Sequence, residues 1–166
     1  NQKTEIEEET DFNNSVLKKW YFDYPDRDEH KLELRLEMDV KNQVRNLGGM
    51  IVLVPVSLKT YDFEKPELRE NPVWIHYPVN WTDTIIYDLP FFQNYTCEIP
   101  ENIDLETDYG KYSEQFLLEK GKIRILRNFQ LYEGKYSLKE YPDFYAFFEK
   151  IKTARQKSII VLNPKK

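Results

Sequence analysis

The chain has 166 residues, a single cysteine and a net charge of −5, with 29 acidic residues against 24 basic. At this length folding can bury about 70% of the unfolded surface, so neither a disulfide nor a metal is required. The acidic balance argues against nucleic acid or an anionic membrane as partner, since both need clustered Lys and Arg.

No apolar run approaches the ~18 residues that cross a bilayer, so no membrane insertion is expected. One cysteine cannot form an internal disulfide. That suits a reducing compartment, or an exported domain that does without bridges. Aromatic residues make up 15% of the chain, with 12 Tyr and 10 Phe. Such residues favour pleated, half-buried surfaces, so the composition leans towards β structure.

Residues 1–14 carry Glu5, Glu7, Glu8 and Glu9 and read as a flexible acidic segment at an excised or processed boundary. A single domain is expected over 15–166. Val16 to Tyr24 is a first strand, ended at Pro25-Asp26. Leu32, Leu34, Leu36, Met38 and Val40 alternate with charged residues, the period-two pattern of a strand with one dry face. Asn46-Leu47-Gly48-Gly49 is a turn. Met50 to Leu58 is a nearly continuous apolar run, and Pro55 within it points to an edge or a bulge.

Short strands are expected at Val73 to Tyr77 and Thr84 to Asp88, around a turn at Pro78-Val79-Asn80-Trp81. Others follow at Tyr95 to Ile99 and Ile103 to Thr107. A long hairpin runs from Tyr112 to Leu131, with Gly121 available for positive φ at its turn. Pro142 then opens a helix over about 142–156, with Phe144, Phe147, Phe148 and Ile151 on one face. A last strand is expected at about 158–162. The fold class is mainly β: a β-sandwich of antiparallel strands with one C-terminal helix before the last strand, the helix capping an open end.

Several ordered segments together resemble a known family. They are Asn71-Pro72-Val73, Tyr77-Pro78, Thr84 through Pro90, Tyr95 through Pro100, Tyr109-Gly110-Lys111-Tyr112, the Gly121 hairpin, and Tyr141-Pro142-Asp143-Phe144 through Leu162. This pattern resembles the C-terminal domain of unknown function that follows a transglutaminase-like core in exported proteins of Gram-negative bacteria. The likeness spans about residues 70 to 162 well, and 20 to 60 loosely. It implies an extracytoplasmic location, in the periplasm or at the cell surface. It implies as partner the remainder of a larger parent chain or an envelope protein. The catalytic Cys-His-Asp centre belongs to the core in such proteins, so none of it carries onto this chain.

The residues themselves offer no catalytic constellation and no cofactor or metal motif, so no enzyme activity is expected. Cys97 with His30 or His76 is the one nucleophile–base set available. Thr96-Cys97-Glu98-Ile99 lacks the helix N-terminus or cationic setting that activates a thiol, and a small buried hydrophobe is the plainer role. Asp26, Asp28 and Glu29 lack the Gly-punctuated spacing of a calcium loop. The sharpest binding candidate is aromatic: Trp74, Tyr77, Trp81 and Tyr87 lie close together. Exposed on a sandwich face, they would form a ligand platform that stacks on a glycan, as in a carbohydrate-binding module. Core packing is the competing expectation, because Trp and Tyr bury large areas with a polar tip. Trp81, placed in a turn, is the ring expected at the surface.

Overall fold

The computed structural model of the protein describes residues 15–23, 33–56, 61, 63–89 and 92–165. The acidic segment 1–14, the turn at Pro25-Asp26 and His30 lie outside the described residues. Strands β1 (Ser15–Asp23) and β2 (Glu33–Val40) form an antiparallel pair with a bulge between Leu17 and Lys19. β3 (Val44–Leu47) and β4 (Met50–Leu53) form a hairpin about Gly48-Gly49. β4 stops at Leu53, earlier than its apolar run suggests, because Val56 leaves the sheet to bond elsewhere. Its N–H donates to the Tyr87 hydroxyl at 2.7 Å, and its carbonyl accepts from Arg127 Nη1 at 2.7 Å.

β5 (Val73–Ile75) is followed by β6 (Val79–Asp88), β7 (Tyr95–Glu98), β8 (Ile103–Thr107), β9 (Gly110–Glu119) and β10 (Lys122–Leu131). The turn expected at Pro78 to Trp81 is instead the start of β6. The ten-residue arm β10 offers a full ladder, and Val79, Asn80 and Trp81 pair with Leu131, Gln130 and Phe129. At the β9–β10 turn Gly121 has φ 78°, the left-handed conformation that glycine adopts at no steric cost.

β11 (Gly134–Tyr136) pairs with β5, and then comes helix α1 (Tyr141–Lys157). Its approach is fixed by Ser137 and Glu140, which bond reciprocally: the Glu140 carboxylate accepts from the Ser137 hydroxyl at 2.6 Å and from the Ser137 N–H at 2.9 Å, and the Glu140 N–H points at the Ser137 hydroxyl at 3.4 Å. This is the capping-box arrangement. β12 (Ile160–Pro164) begins two residues later than the apolar pattern suggests. Ser158 and Ile159 are taken up by the helix exit, their N–H groups donating to the Arg155 and Lys157 carbonyls.

The two larger sheets are antiparallel, ordered β6-β10-β9-β8 and β3-β4-β12-β7. One face of the first sheet is buried in two halves. Ile123, Ile125 and Phe116 meet Leu53 and Ile160 of the second sheet, the packing of a β-sandwich. Tyr112, Phe129 and Leu131 meet Phe144, Phe147, Phe148 and Ile151 of α1. The helix thus replaces the second sheet over half of the face, packing on the sheet itself where the sequence suggests a cap over an open end. Edge-to-face and tilted ring pairs join the helix to Phe63, Tyr109 and Tyr136.

Phe147 is 1% exposed beneath the helix. Phe147→Ala should cost about 3–5 kcal/mol, the range for an aromatic removed from a packed core. Urea unfolding checks this: a loss within about 0.5 kcal/mol would make the helix an ornament on a core complete without it.

Candidate binding surface

The aromatic candidates divide by which face of their strand they occupy. β6 alternates, so Trp81 and Tyr87 share its inward face. Trp81 is half-buried and stacks on Phe129 at 5.4 Å between centroids. It is not the surface ring that a turn position suggests, because the position is a strand. Tyr87 is also half-buried, with its hydroxyl bound to the Val56 N–H; burial pushes this phenol above its ordinary range.

Trp74 and Tyr77 turn outward, at 62% and 80% exposure. On β5, Val73 enters the core and Trp74 takes the opposite side. The cross-strand partner of Trp74 is Lys135, whose ammonium lies 5.7 Å from the indole centroid, within cation–π range. His76, two residues along, stacks on Trp74 at 4.4 Å. The ribbon is anchored from behind. Tyr136 packs in the core and its hydroxyl donates to the Tyr132 carbonyl at 3.1 Å. Its ring lies over Gly134, where an added Cβ would approach the ring to 2.9 Å. Trp74, His76 and Lys135 thus form an exposed aromatic and cationic surface at a held strand pair, with the exposed Tyr77 just beyond the end of β5. Lys135 escapes detection in sequence, since only the pairing of β5 with β11 brings it to Trp74.

A second cluster lies between the two halves of the core. Asp83, Arg127 and Glu114 are registered across β6, β10 and β9. Arg127 Nε donates to Glu114 Oε1 at 2.8 Å, and Nη1 stands 3.7 Å from Asp83 Oδ2. Tyr112 donates to Glu114 Oε2 at 3.1 Å, and the Ser158 hydroxyl lies 3.4 Å from the same oxygen. Glu114 and Arg127 are 0% and 2% exposed. Burial, then the charge of Glu114, pushes the Tyr112 phenol far up, so it stays a donor. Burial lowers the Arg155 guanidinium and raises the Asp83 carboxyl, the latter against the pull of Arg127. The buried pair of Glu114 and Arg127 ties β9 to β10 from within.

Cys97 sits half-buried on β7 opposite Leu162. Burial raises its thiol, and Glu98 adds to the shift, the reverse of what a nucleophilic thiolate needs. Among the described residues no group of three or more His, Cys, Asp or Glu could hold a metal, and no helix is long and apolar enough to cross a membrane.

An antiparallel β-sandwich with a helix over half of one sheet, an aromatic ribbon outside and a buried ionic row inside defines a β-rich domain. The chain belongs to the family DUF3858, a domain of unknown function, whose model matches residues 49–161. That span runs from the β3–β4 turn into β12. Comparison with curated proteins and with solved structures finds no match.

Two outcomes are expected for the buried row. Arg127→Met should cost about 3–5 kcal/mol by stranding Glu114, and the double variant Glu114→Gln/Arg127→Met should recover most of that loss; additive losses in urea melts would mean the two side chains do not act as a pair. The second concerns pH. The folded chain holds the Asp83 proton more tightly than the unfolded chain, whose ordinary value is 3.8. Stability from this group is therefore full below that value and is lost as pH rises through the raised folded value. Asp83→Asn should flatten the fall in stability from about pH 4 upward. A profile that keeps the wild-type slope would refute the assignment.

Proposed function

We propose that the protein is a non-catalytic accessory domain whose task is docking, set C-terminal to a transglutaminase-like core in a larger exported protein, in the periplasm or at the cell surface. The observation that carries the docking role is the ribbon of Trp74, His76, Tyr77 and Lys135, exposed on a strand pair fastened to the core. Tryptophan and tyrosine dominate binding energy at protein interfaces because they present large, rigid area with a polar tip. Support from the other side comes from the titratable groups, since Glu114, Arg127 and Tyr112 are engaged with one another beneath the surface. The partner is the remainder of the parent chain or an envelope protein. Membership of the family and the resemblance of residues 70 to 162 support the wider setting.

A second reading rests on the same two rings. A carbohydrate-binding module stacks sugar rings on exposed aromatics, and the 62% and 80% exposure of Trp74 and Tyr77 meets that need. Trp81 and Tyr87, turned into the core, take no part in it.

The test compares wild type with Trp74→Ala against two sets of probes: the separately produced remainder of the parent protein, and a glycan array. Trp74→Ala should weaken binding at least tenfold, equivalent to about 1.4 kcal/mol, while unfolding stability moves by no more than about 0.5 kcal/mol. Loss towards the protein probe supports docking; loss towards a glycan supports the second reading. Binding to the protein that is indifferent to Trp74→Ala would remove the ribbon from the docking role.

A further inference from the structure

Among the described residues the sheet β6-β10-β9-β8 ends at β8, which has a strand neighbour on one side only. An open strand edge presents unpaired N–H and C=O groups, a template for another strand. Beside this edge runs a groove of about 750 Å³ between β8 and the second half of α1. Its sheet wall is Ile103 and Leu105, both half-buried. On the helix wall, Ala146 and Ala154 are short side chains, which is why the groove stays open.

The helix wall carries Lys150, Lys157 and Glu149. Neither lysine forms an ion pair among the described residues. Glu149 on the same wall is engaged by Lys152 at 3.6 Å. Glu101 lies at the far end, in the loop that leads into β8. Asp104 and Glu106, the acidic residues of β8 itself, alternate onto the opposite face, where Glu106 pairs with Lys111 at 2.6 Å. A chain with a net charge of −5 thus carries a basic wall beside its open edge.

We propose that this groove receives an extended acidic segment of a partner protein, which adds to the sheet alongside β8. The segment's backbone completes the β8 ladder, the strand-addition mode of peptide recognition. Its inward side chains, every second residue, meet both walls: an apolar one rests on Ile103 and Leu105, and a carboxylate stands on either side of it. Carboxylates reach Lys150 and Lys157, which are seven residues apart on the helix, about 10 Å along its axis. That span falls between two and four residues of extended chain, so carboxylates four apart on the peptide's inward face, with the apolar residue between them, engage both lysines. This surface is separate from the ribbon of Trp74 and stands or falls without it.

The probe is a fluorescein-labelled peptide repeating Glu-Thr-Val-Thr, which places Glu and Val on one face and Thr on the other, titrated by polarisation into the whole chain. Saturable binding is expected, weakened at least tenfold by Lys150→Gln/Lys157→Gln and unchanged by Trp74→Ala. Two N-methylated forms of the peptide, blocked at odd or at even positions, test the backbone pairing without touching the protein. One form should lose binding and the other keep it, because alternate N–H groups face the edge. Absence of saturable binding overturns the proposal. So does binding that ignores both N-methylated forms, which would reduce it to charge attraction alone. An equal Lys-to-Arg double variant that retains affinity would show that the charges act, and a loss there would overturn their role.

Discussion

The guanidinium of Arg127 ties together two neighbouring strands and the segment that leaves β4. It bonds Glu114 on the neighbouring strand, approaches Asp83 on the other, and holds the Val56 carbonyl where the chain leaves β4. A buried cation this enclosed needs its partners in place, since an uncompensated charge in the interior costs several kcal/mol. The row therefore demands that β6, β9 and β10 keep one register. A slip of one residue would turn every inward side chain outward and strand the arginine. The two hydrophobic clusters lie on either side of this row, one under the second sheet and one under α1.

That arrangement separates what is held from what is offered. The inner row and the aromatic cluster below α1 consist of groups that bond one another. The outer features are of two kinds: the ribbon around Trp74, and the open edge of β8 with its basic wall. Trp74 and Lys135 stand on paired strands and Ile103 and Leu105 on β8, so their geometry is imposed by the ladder behind them, while α1 carries the lysines of the groove. Trp74 faces outward because Val73 and Tyr136 fill the core side of the ribbon. The groove stays open where Ala146 and Ala154 of α1 face it.

Much of this was legible along the chain. Ile103 to Thr107 and the arms around Gly121 were readable from alternation and turn chemistry, and the structure places β8, β9 and β10 there. The same alternation held a signal for the buried row. Arg127 stands in phase with Ile123, Ile125, Phe129 and Leu131, Asp83 in phase with Trp81 and Ile85, and Glu114 in phase with Tyr112 and Phe116. Charged residues at inward positions on strands that prove to be neighbours mark an internal ionic row. Trp81 misled because Pro78 and Asn80 are turn formers, and the long ladder with β10 outweighed them.

Local pattern alone determined the alternating faces of the strands, the apolar stripe of α1 and the acidic surface, because each depends on neighbours within a few residues. Tertiary structure alone decided which faces meet. β12 lies between β4 and β7, about a hundred residues from the first and about sixty from the second, and Lys135 reaches Trp74 only through the β5–β11 pairing. No short-range preference encodes such pairings. They are selected by the summed burial of two hydrophobic clusters and by the need of one buried arginine for partners on three different segments.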